Sequence, residues 1–517
     1  MTETQAALPD ELAGPASGVD LRRVHAADLA GTTARFMALG ARYEMLLGLD
    51  ERSIGGDGLA VEVVLSGARG PIRLRAELPL DAPSYPSVTR LVPAAQWDER
   101  EVKDLFGIVP VGHPDSRRLV LHERWPAGYH PLRKDVPVDV APPIGDRHYV
   151  PFEVQGEGVY QLPVGPIHAG IIEPGHFRFS AVGERVLHLD PRLFFTHRGL
   201  VKLVEGRTFE AALPIVERAC GVCTVAHAVA FAQAVEELTH TVIPPRASWG
   251  RVILAELERL YNHVGDLGNI CAGVGFQSGV ARLGALKERL LRVNDGIVGH
   301  RYLMGAVRPG GLRIQLDAAG LDALAAELGP LERELAMAVR SVIRSEGVMA
   351  RLHGAGLVPG PLARTLGATG VAAKASGLSD DLRRDRPSGA YAELEVGTAV
   401  ASGGDVAARF HVRAQEAHES LRLLVAVLAR IEAGSIRVPL AREPSAGAEA
   451  FAGAEGPRGA SRVWLRAGPH GTLDRFHLRS ASFANWPVVA AALPGDLVAD
   501  FPLINKSFEL CYACTDR

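Results

Sequence analysis

The sequence predicts an α+β chain in which a small mixed domain precedes a large, mainly helical one with a central helix bundle and a small β portion. Three observations carry this. Short apolar runs of period two cluster before residue 136, and runs with apolar residues at i, i+3, i+4 and i+7 dominate after residue 164. A proline-dense stretch lies between them. The 517 residues amount to about three domains' worth of chain at roughly 150 residues each. With 56 Lys+Arg against 59 Asp+Glu, the charge gives no basic footprint, so nucleic acid is not expected as a partner.

Residues 1–20 are acidic and rich in small side chains, without the basic start or apolar core of a secretory signal, and read as a flexible N-terminus. In the small α+β domain, 21–135, Ala26 to Leu47 reads as a helix, whereas Leu59 to Leu65 and Ile72 to Leu78 alternate like strands. Pro137, Pro142, Pro143, Pro151 and Pro163 mark 136–163 as an extended linker. In the large domain, 164–517, helices are expected at Ala226–Leu238, Arg246–Leu267, Ala281–Ile297, Leu321–Ser345 and Val406–Ile431. The Ala/Gly-rich stretch Ala441 to Ala460 breaks that pattern and predicts a surface loop. No fixed-period repeat suggests a solenoid. No stretch reaches the roughly 20 apolar residues of a membrane span. Leu421 to Ile431 comes nearest, and Arg422 and Arg430 interrupt it, so the expected compartment is the cytoplasm.

Four of the five cysteines form two C-x-x-C pairs, Cys220/Cys223 and Cys511/Cys514, while Cys271 stands alone and reads as a packing residue. The i, i+3 spacing turns both sulfurs of a pair toward one point, as a shared metal requires. Because 287 residues separate Cys223 from Cys511, the fold must carry the C-terminus back to the start of the helical region. Structural zinc, an iron–sulfur cluster and nickel all accept four thiolates, although zinc knuckles usually lie about 15–20 residues apart. Arg218 precedes the first pair and Arg458 lies in Glu455-Gly-Pro-Arg-Gly459. A guanidinium beside several thiolates would offset their charge.

The strings Arg218-x-Cys-Gly-x-Cys-x-x-x-His227 and Cys511-Tyr-Ala-Cys-Thr-Asp-Arg517 resemble the large, catalytic subunit of NiFe hydrogenases, in the membrane-complex type of formate hydrogenlyase and energy-converting hydrogenases. Trp97-Asp-Glu-Arg-Glu-Val-Lys-Asp-Leu-Phe-Gly107 and Gly112-His-Pro-Asp-Ser-Arg-Arg118 resemble the small peripheral-arm subunit of respiratory complex I. Gly165-Pro-Ile-His168, His197-Arg-Gly199 and His300 to Gly311 are similar to the complex I subunit beside the quinone pocket. That subunit lacks the four cysteines, so their presence points to the hydrogenase branch.

The resemblance implies a Ni-Fe(CO)(CN)2 centre, with Cys220 and Cys511 as terminal nickel ligands and Cys223 and Cys514 bridging to the iron. It implies Cys511 as first proton acceptor, Glu173 as proton relay, Arg458 over the open metal position, and Arg218 and His227 as cofactor-binding residues, His227 hydrogen-bonding a bridging sulfur. A lone Glu173 or a single arginine would otherwise read as solvated surface, and His227 as a core histidine. Family members commonly carry a glutamate where this chain has Val201, which puts a secondary magnesium in doubt, with Glu205 one turn later as a substitute. The family's C-terminal extension, removed after metal insertion, is not written after Arg517, and no histidine follows Cys514, as in the membrane-complex branch.

No ligands remain for an iron–sulfur cluster in this chain. The implied partners are a small subunit with a 4Fe-4S cluster, a ferredoxin-like subunit, integral membrane subunits, a formate or carbon monoxide dehydrogenase, and hydrogenase maturation factors. The implied location is the cytoplasmic face of the inner membrane. The expected reaction is reversible reduction of protons to H2. The alternative is a non-catalytic structural or quinone-site subunit of a complex I relative, its cysteines binding zinc or no metal.

Overall fold

The computed structural model describes residues 20–67, 70–146, 148–169 and 172–517, and divides into two compact units, 1–150 and 151–517. The expected flexible N-terminus, apart from Asp20, lies outside the described residues.

The first unit is built on β1 (Asp20–Arg23), α1 (Leu29–Ala38), β2 (Arg42–Asp50), β3 (Leu59–Gly67) and β4 (Gly70–Leu78), the strands forming one sheet in the order β1-β4-β3-β2. The helix expected over Ala26–Leu47 is therefore corrected to a helix followed by a strand. Gly40 adopts φ 98° and breaks the helix, and the apolar run Met45 to Leu49 is buried in the sheet. A short continuous apolar run does not by itself distinguish the two states. The polar side of β3 is covered as well: buried Glu62 accepts from Arg73 Nε at 2.6 Å and Arg75 Nε at 2.7 Å.

After β5 (Ser84–Pro86), α2 (Gln96–Phe106) carries the Trp97–Gly107 motif and leads to β6 (Val109–Val111). Two of the motif's acids reach into neighbouring loops. Glu99 accepts from Ser87 Oγ at 2.6 Å and Val88 N at 2.7 Å, and Asp104 Oδ2 accepts from the amides of Leu119, Val120 and Leu121 at 2.8, 2.9 and 3.1 Å. These buried carboxylates fix the loops around α2.

The second unit opens with the antiparallel strands β7 (Val159–Val164), β8 (His176–Val182) and β9 (Arg185–Arg192), the first of which begins inside the stretch read as linker. Helices follow: α3 (Leu200–Leu203), α4 (Phe209–Glu217), α5 (Thr224–Thr239), α6 (Pro245–Gly273) and α7 (Gln277–Val298). A hairpin of β10 (Val307–Arg308) and β11 (Gly311–Leu312) precedes α8 (Ala318–Ile343), α9 (Glu346–Leu352), α10 (Gly360–Thr365), α11 (Gly370–Lys374), α12 (Leu382–Asp385) and α13 (Val406–Leu428). The five helices expected from periodicity are present as α5, α6, α7, α8 and α13. In the bundle α6 packs on α7 and α13, and α8 packs on the same two helices.

The loop expected over Ala441–Ala460 is corrected as well. Its second half is the strand β12 (Glu449–Gly456), which turns directly into β13 (Gly459–Ala467), and β14 (Leu473–Arg479) completes a three-stranded sheet. The small residues serve close packing rather than mobility: a Cβ on Gly456 would stand 3.1 Å from the Ala226 Cβ of α5. The chain closes with α14 (Ala481–Ala492), α15 (Phe501–Phe508) and α16 (Tyr512–Asp516).

Candidate metal centre

Cys220 and Cys223 lie in the turn between α4 and α5, with Cys223 at the N-cap of α5, and Cys511 occupies the N-cap of α16. Sulfur accepts from backbone in both turns: Val222 N donates to Cys220 Sγ at 3.4 Å and Cys514 N to Cys511 Sγ at 3.3 Å. The two turns meet. Cys220 Sγ stands 3.3 Å from Cys511 Sγ, the sulfurs of Cys220, Cys511 and Cys514 lie within 4.8 Å of one another, and Cys223 packs in the same cluster. All are free thiols. Cys271 sits apart on α6 against Gly279, its thiol pushed up to about 11 by burial, as suits an inert packing residue.

The crowded sulfurs titrate unequally. Hydrogen bonding with Cys223, Cys511 and Cys514, together with burial, holds the Cys220 thiol well above its usual range. At Cys514 burial opposes the charge, but hydrogen bonds from Cys220 and Cys511, then the electrostatic pull of His227 and a hydrogen bond from Ser482, outweigh it and draw the group well below that range. A cation beside buried sulfurs lowers the cost of any negative charge they carry. Arg458 Nη1 donates to Cys223 Sγ at 3.2 Å and to Asn262 Oδ1 at 3.1 Å, its Nε donates to the Glu509 carbonyl, and Asp266 Oδ1 lies 3.9 Å from Nη2. Against its burial, Cys223, Asp266, Cys220 and Cys511 keep this guanidinium firmly charged.

The other residues singled out from sequence divide. His227, one turn after Cys223, is buried, and neither ring nitrogen has a hydrogen-bond partner among the described residues. Burial depresses its pKa, against the pull of Cys514. Glu173 is half-buried and accepts from Ala513 N at 2.9 Å, in the turn between the second pair. Arg218 turns outward: its side chain is 57% exposed and stands 3.6 Å from Glu217, so the guanidinium touching a cysteine sulfur is that of Arg458. Val201 is buried, and Glu205 lies 3.4 Å from Lys202 Nζ.

Sequence reasoning missed the groups that hold the two turns together. Arg198 Nη2 donates to the carbonyls of Ala219 at 2.9 Å and Ala513 at 2.8 Å, one from each cysteine turn. Ser480 Oγ donates to Cys514 O at 3.0 Å, and Ser482 Oγ accepts from Cys511 N at 3.0 Å. Asp516 accepts from Phe194 N at 2.8 Å and Thr196 N at 2.9 Å. Behind the first pair, Asn262 Nδ2 donates to Val222 O at 2.8 Å, and Glu258 accepts from Val225 N and Ala226 N at 2.7 and 3.0 Å, at the start of α5. The string His197-Arg-Gly199 was a signal for Arg198. The other side chains, Ser480, Ser482, Asp516, Asn262 and Glu258, act on backbone carbonyls and amides, contacts that leave no mark in a sequence.

Four free thiols gathered from two distant turns, a charged guanidinium on one of them and an orphaned buried imidazole beside another suit a soft transition metal. Residues 198–267, which include Cys220 and Cys223, match the nickel-dependent hydrogenase family. Residues 23–141 match the 30 Kd subunit of respiratory-chain NADH dehydrogenase, and 273–445 and 440–517 match its 49 Kd subunit. Formate hydrogenlyase subunit 5 of Escherichia coli (strain K12) is 36% identical over 92% of this chain and 85% of its own. The chain belongs to the membrane-bound hydrogenase large subunits of formate hydrogenlyase type. Hydrogenase-4 component G of the same organism, another relative of this family, is 36% identical over 92% of this chain and 83% of its own. Among solved structures, the membrane-bound sulfane sulfur reductase, an archaeal respiratory membrane complex, aligns with a TM-score of 0.66 and 25% identity over 70% of this chain and 99% of that one. No helix among the described residues is long and apolar enough to cross a membrane.

Proposed function

We propose that this chain is the catalytic subunit of a membrane-associated hydrogenase complex, reducing protons to H2 and reversibly oxidising H2, with electrons delivered by an iron–sulfur partner subunit. The observation that carries the reading is the convergence of Cys220, Cys511 and Cys514 within 4.8 Å, with Cys223 held by Arg458. Cys220, Cys223, Cys511 and Cys514 would hold a Ni-Fe(CO)(CN)2 centre. When bound, that centre supplies a Lewis acid and the electron pair exchanged with hydrogen. The chain's own residues do the rest. Cys511 Sγ takes or gives the first proton. Glu173, hydrogen-bonded to the Ala513 amide beside it, passes the proton outward. Arg458 fixes Cys223 and places positive charge over the site, and His227, whose ring nitrogens have no other partner among the described residues, would turn one of them to the sulfur of Cys514.

Cys271 has no second cysteine near it to hold a cluster, so electrons arrive through partners: a small subunit with a 4Fe-4S cluster, then a ferredoxin-like subunit and an integral membrane module, at the cytoplasmic face of the inner membrane. Formate or carbon monoxide dehydrogenase would supply them, and maturation factors would load the metals. The buried Val201 and the Lys202 beside Glu205 disfavour a secondary magnesium.

The matches to both complex I subunits favour a second reading, a structural or quinone-site subunit with zinc or no metal. Metal analysis and infrared spectroscopy of the purified complex, matured in its native host, separate the two. Stoichiometric nickel with iron-bound CO and cyanide bands is the expected result. Zinc or no metal in fully matured material overturns the hydrogenase reading.

A further inference from the structure

A cavity of about 150 Å³, room for several waters, lies between α5, α6 and β12, with Gln233, Arg251, Ser388, Tyr391 and Glu455 among its lining residues. Most of its polar groups are paired. Gln233 Nε2 donates to Ser388 Oγ at 2.7 Å, Tyr391 OH to Glu256 Oε1 at 2.5 Å, and Arg251 Nη1 to Glu236 Oε2 at 2.9 Å. Two atoms are not: Arg251 Nε and Glu455 Oε1 have no partner among the described residues, although Glu455 Oε2 accepts from Leu382 N at 3.1 Å. A buried carboxyl oxygen left without a donor is costly unless water or a proton satisfies it.

One face of α6 leads from this cavity to the thiols. Ser248, Arg251 and Ala255 line the cavity, and Glu258 and Asn262 follow at spacings of three and four. Glu258 accepts at 3.0 Å from the amide of Ala226, itself a cavity residue, and lies 3.4 Å from Thr224 Oγ1, next to Cys223 in sequence. Asn262 accepts from the same Arg458 Nη1 that holds Cys223 Sγ.

We infer that this cavity is a proton store for the buried centre, in which Glu455 takes a proton from cavity water and passes it, through water, to Glu258 beside the first cysteine turn. This rests on the hydrogenase reading and adds a route separate from Glu173. Only a proton moves: Glu455 goes from acid to carboxylate as Glu258 goes from carboxylate to acid, and the electrons come from the partner subunit. Burial pushes both carboxyls up to about 7. At Glu455, Asp381 adds to this and Lys374 and Arg259 oppose it, while at Glu258 the amides of Val225 and Ala226, with Arg259 and Arg458, oppose it. Each group can therefore hold and release a proton near neutrality.

The test compares the complex from its native host as wild type, Glu455→Gln, Glu455→Asp and Glu258→Gln. Infrared difference spectra across neutral pH are expected to show a protonated-carboxyl band that shifts in D2O and is lost in Glu455→Gln at unchanged nickel content. H2 evolution by that variant is expected to fall about tenfold or more, with a larger solvent isotope effect, and Glu455→Asp to recover part of both. A Glu455→Gln complex that keeps the wild-type band, or keeps the wild-type rate and isotope effect, overturns the inference. A wild-type complex without nickel overturns the hydrogenase reading instead, which the metal content reports independently of the carboxyl band.

Discussion

Arg458 Nη1 donates to Cys223 Sγ at 3.2 Å across 235 residues of sequence. The same nitrogen donates to Asn262 Oδ1 at 3.1 Å, and Nε donates to the Glu509 carbonyl. A planar fork can serve these divergent acceptors at once, whereas an ammonium on a flexible stem cannot. Arg458→Lys should therefore retain nickel and lose about 10–100-fold in H2 turnover, the usual range for a group supporting metal ligands. Nickel analysis beside the rate of H2 evolution checks this, and wild-type turnover in the lysine variant would reduce Arg458 to a packing role.

Arg198 makes a different prediction, because it touches no sulfur. Its guanidinium joins the turns of the two cysteine pairs through the Ala219 and Ala513 carbonyls, at 2.9 and 2.8 Å. Hydrogen bonds to charged groups contribute about 1.5–3 kcal/mol each when shielded, and less here because Arg198 is exposed. Arg198→Ala should lower the stability of the second unit by about 1–3 kcal/mol and loosen both turns. Hydrogen exchange of the amides from Ala219 to Cys223 and from Cys511 to Arg517 should accelerate together. Acceleration in one turn alone would show that the arginine does not couple them.

The legibility of this site from sequence has a physical boundary. That the two cysteine pairs meet, with Arg458 on Cys223, was readable because those residues lie in short strings of fixed spacing; their roles as ligands and helpers belong to the proposal above. Asp266, Glu416 and Lys374 were not readable, since charged residues on an amphipathic helix read as its solvent face. On α6, α13 and, for Lys374, the short helix α11, these positions are buried against further elements of the same unit. The Ala/Gly run before Arg458 misled for a related reason: small residues accompany both loops and tight backbone approach, and only the position of Ala226 against Gly456 decides between them. Arg218 shows the converse, a motif residue whose side chain points to solvent.

The buried charges behind the centre predict a pH response. Lys374 Nζ donates to Glu416 Oε1 at 2.5 Å and Asp381 Oδ2 at 2.6 Å, while His263 Nε2 lies 2.7 Å from Glu416 Oε2. Burial raises the pKa of both carboxyls, but Lys374 for Glu416, and Arg383 followed by Lys374 for Asp381, more than compensate and draw each below its ordinary value. Their stabilisation is thus present above the unfolded values of about 4–4.5 and is lost as pH falls through the lower folded values. Lys374, raised by the same partners against its burial, contributes below its ordinary value of 10.5 and loses that contribution at higher pH. Lys374→Met leaves the two carboxylates short of a counter-ion and should cost about 3–5 kcal/mol at neutral pH. Its acid unfolding midpoint should also lie at higher pH than wild type. Coincident acid transitions of the two proteins, followed by circular dichroism, would show that the lysine does not hold these carboxylates ionised.

In the first unit, Asp104 offers a test free of metal chemistry. Its Oδ2 accepts from three consecutive amides, Leu119, Val120 and Leu121, at 2.8 to 3.1 Å. Burial raises its pKa, the three amides and Arg100 only partly offsetting the cost of the charge. Asp104→Ala leaves three buried N–H groups without an acceptor, at about 1–3 kcal/mol for each that water cannot reach. Asp104→Asn keeps one oxygen but adds two N–H donors where the surrounding groups are themselves donors, so it should not restore stability. Both variants should lower the melting temperature of the first unit and open the 119–121 amides to exchange. Protection of those three amides in Asp104→Ala would mean that another acceptor replaces the carboxylate and that the aspartate is not what holds the loop.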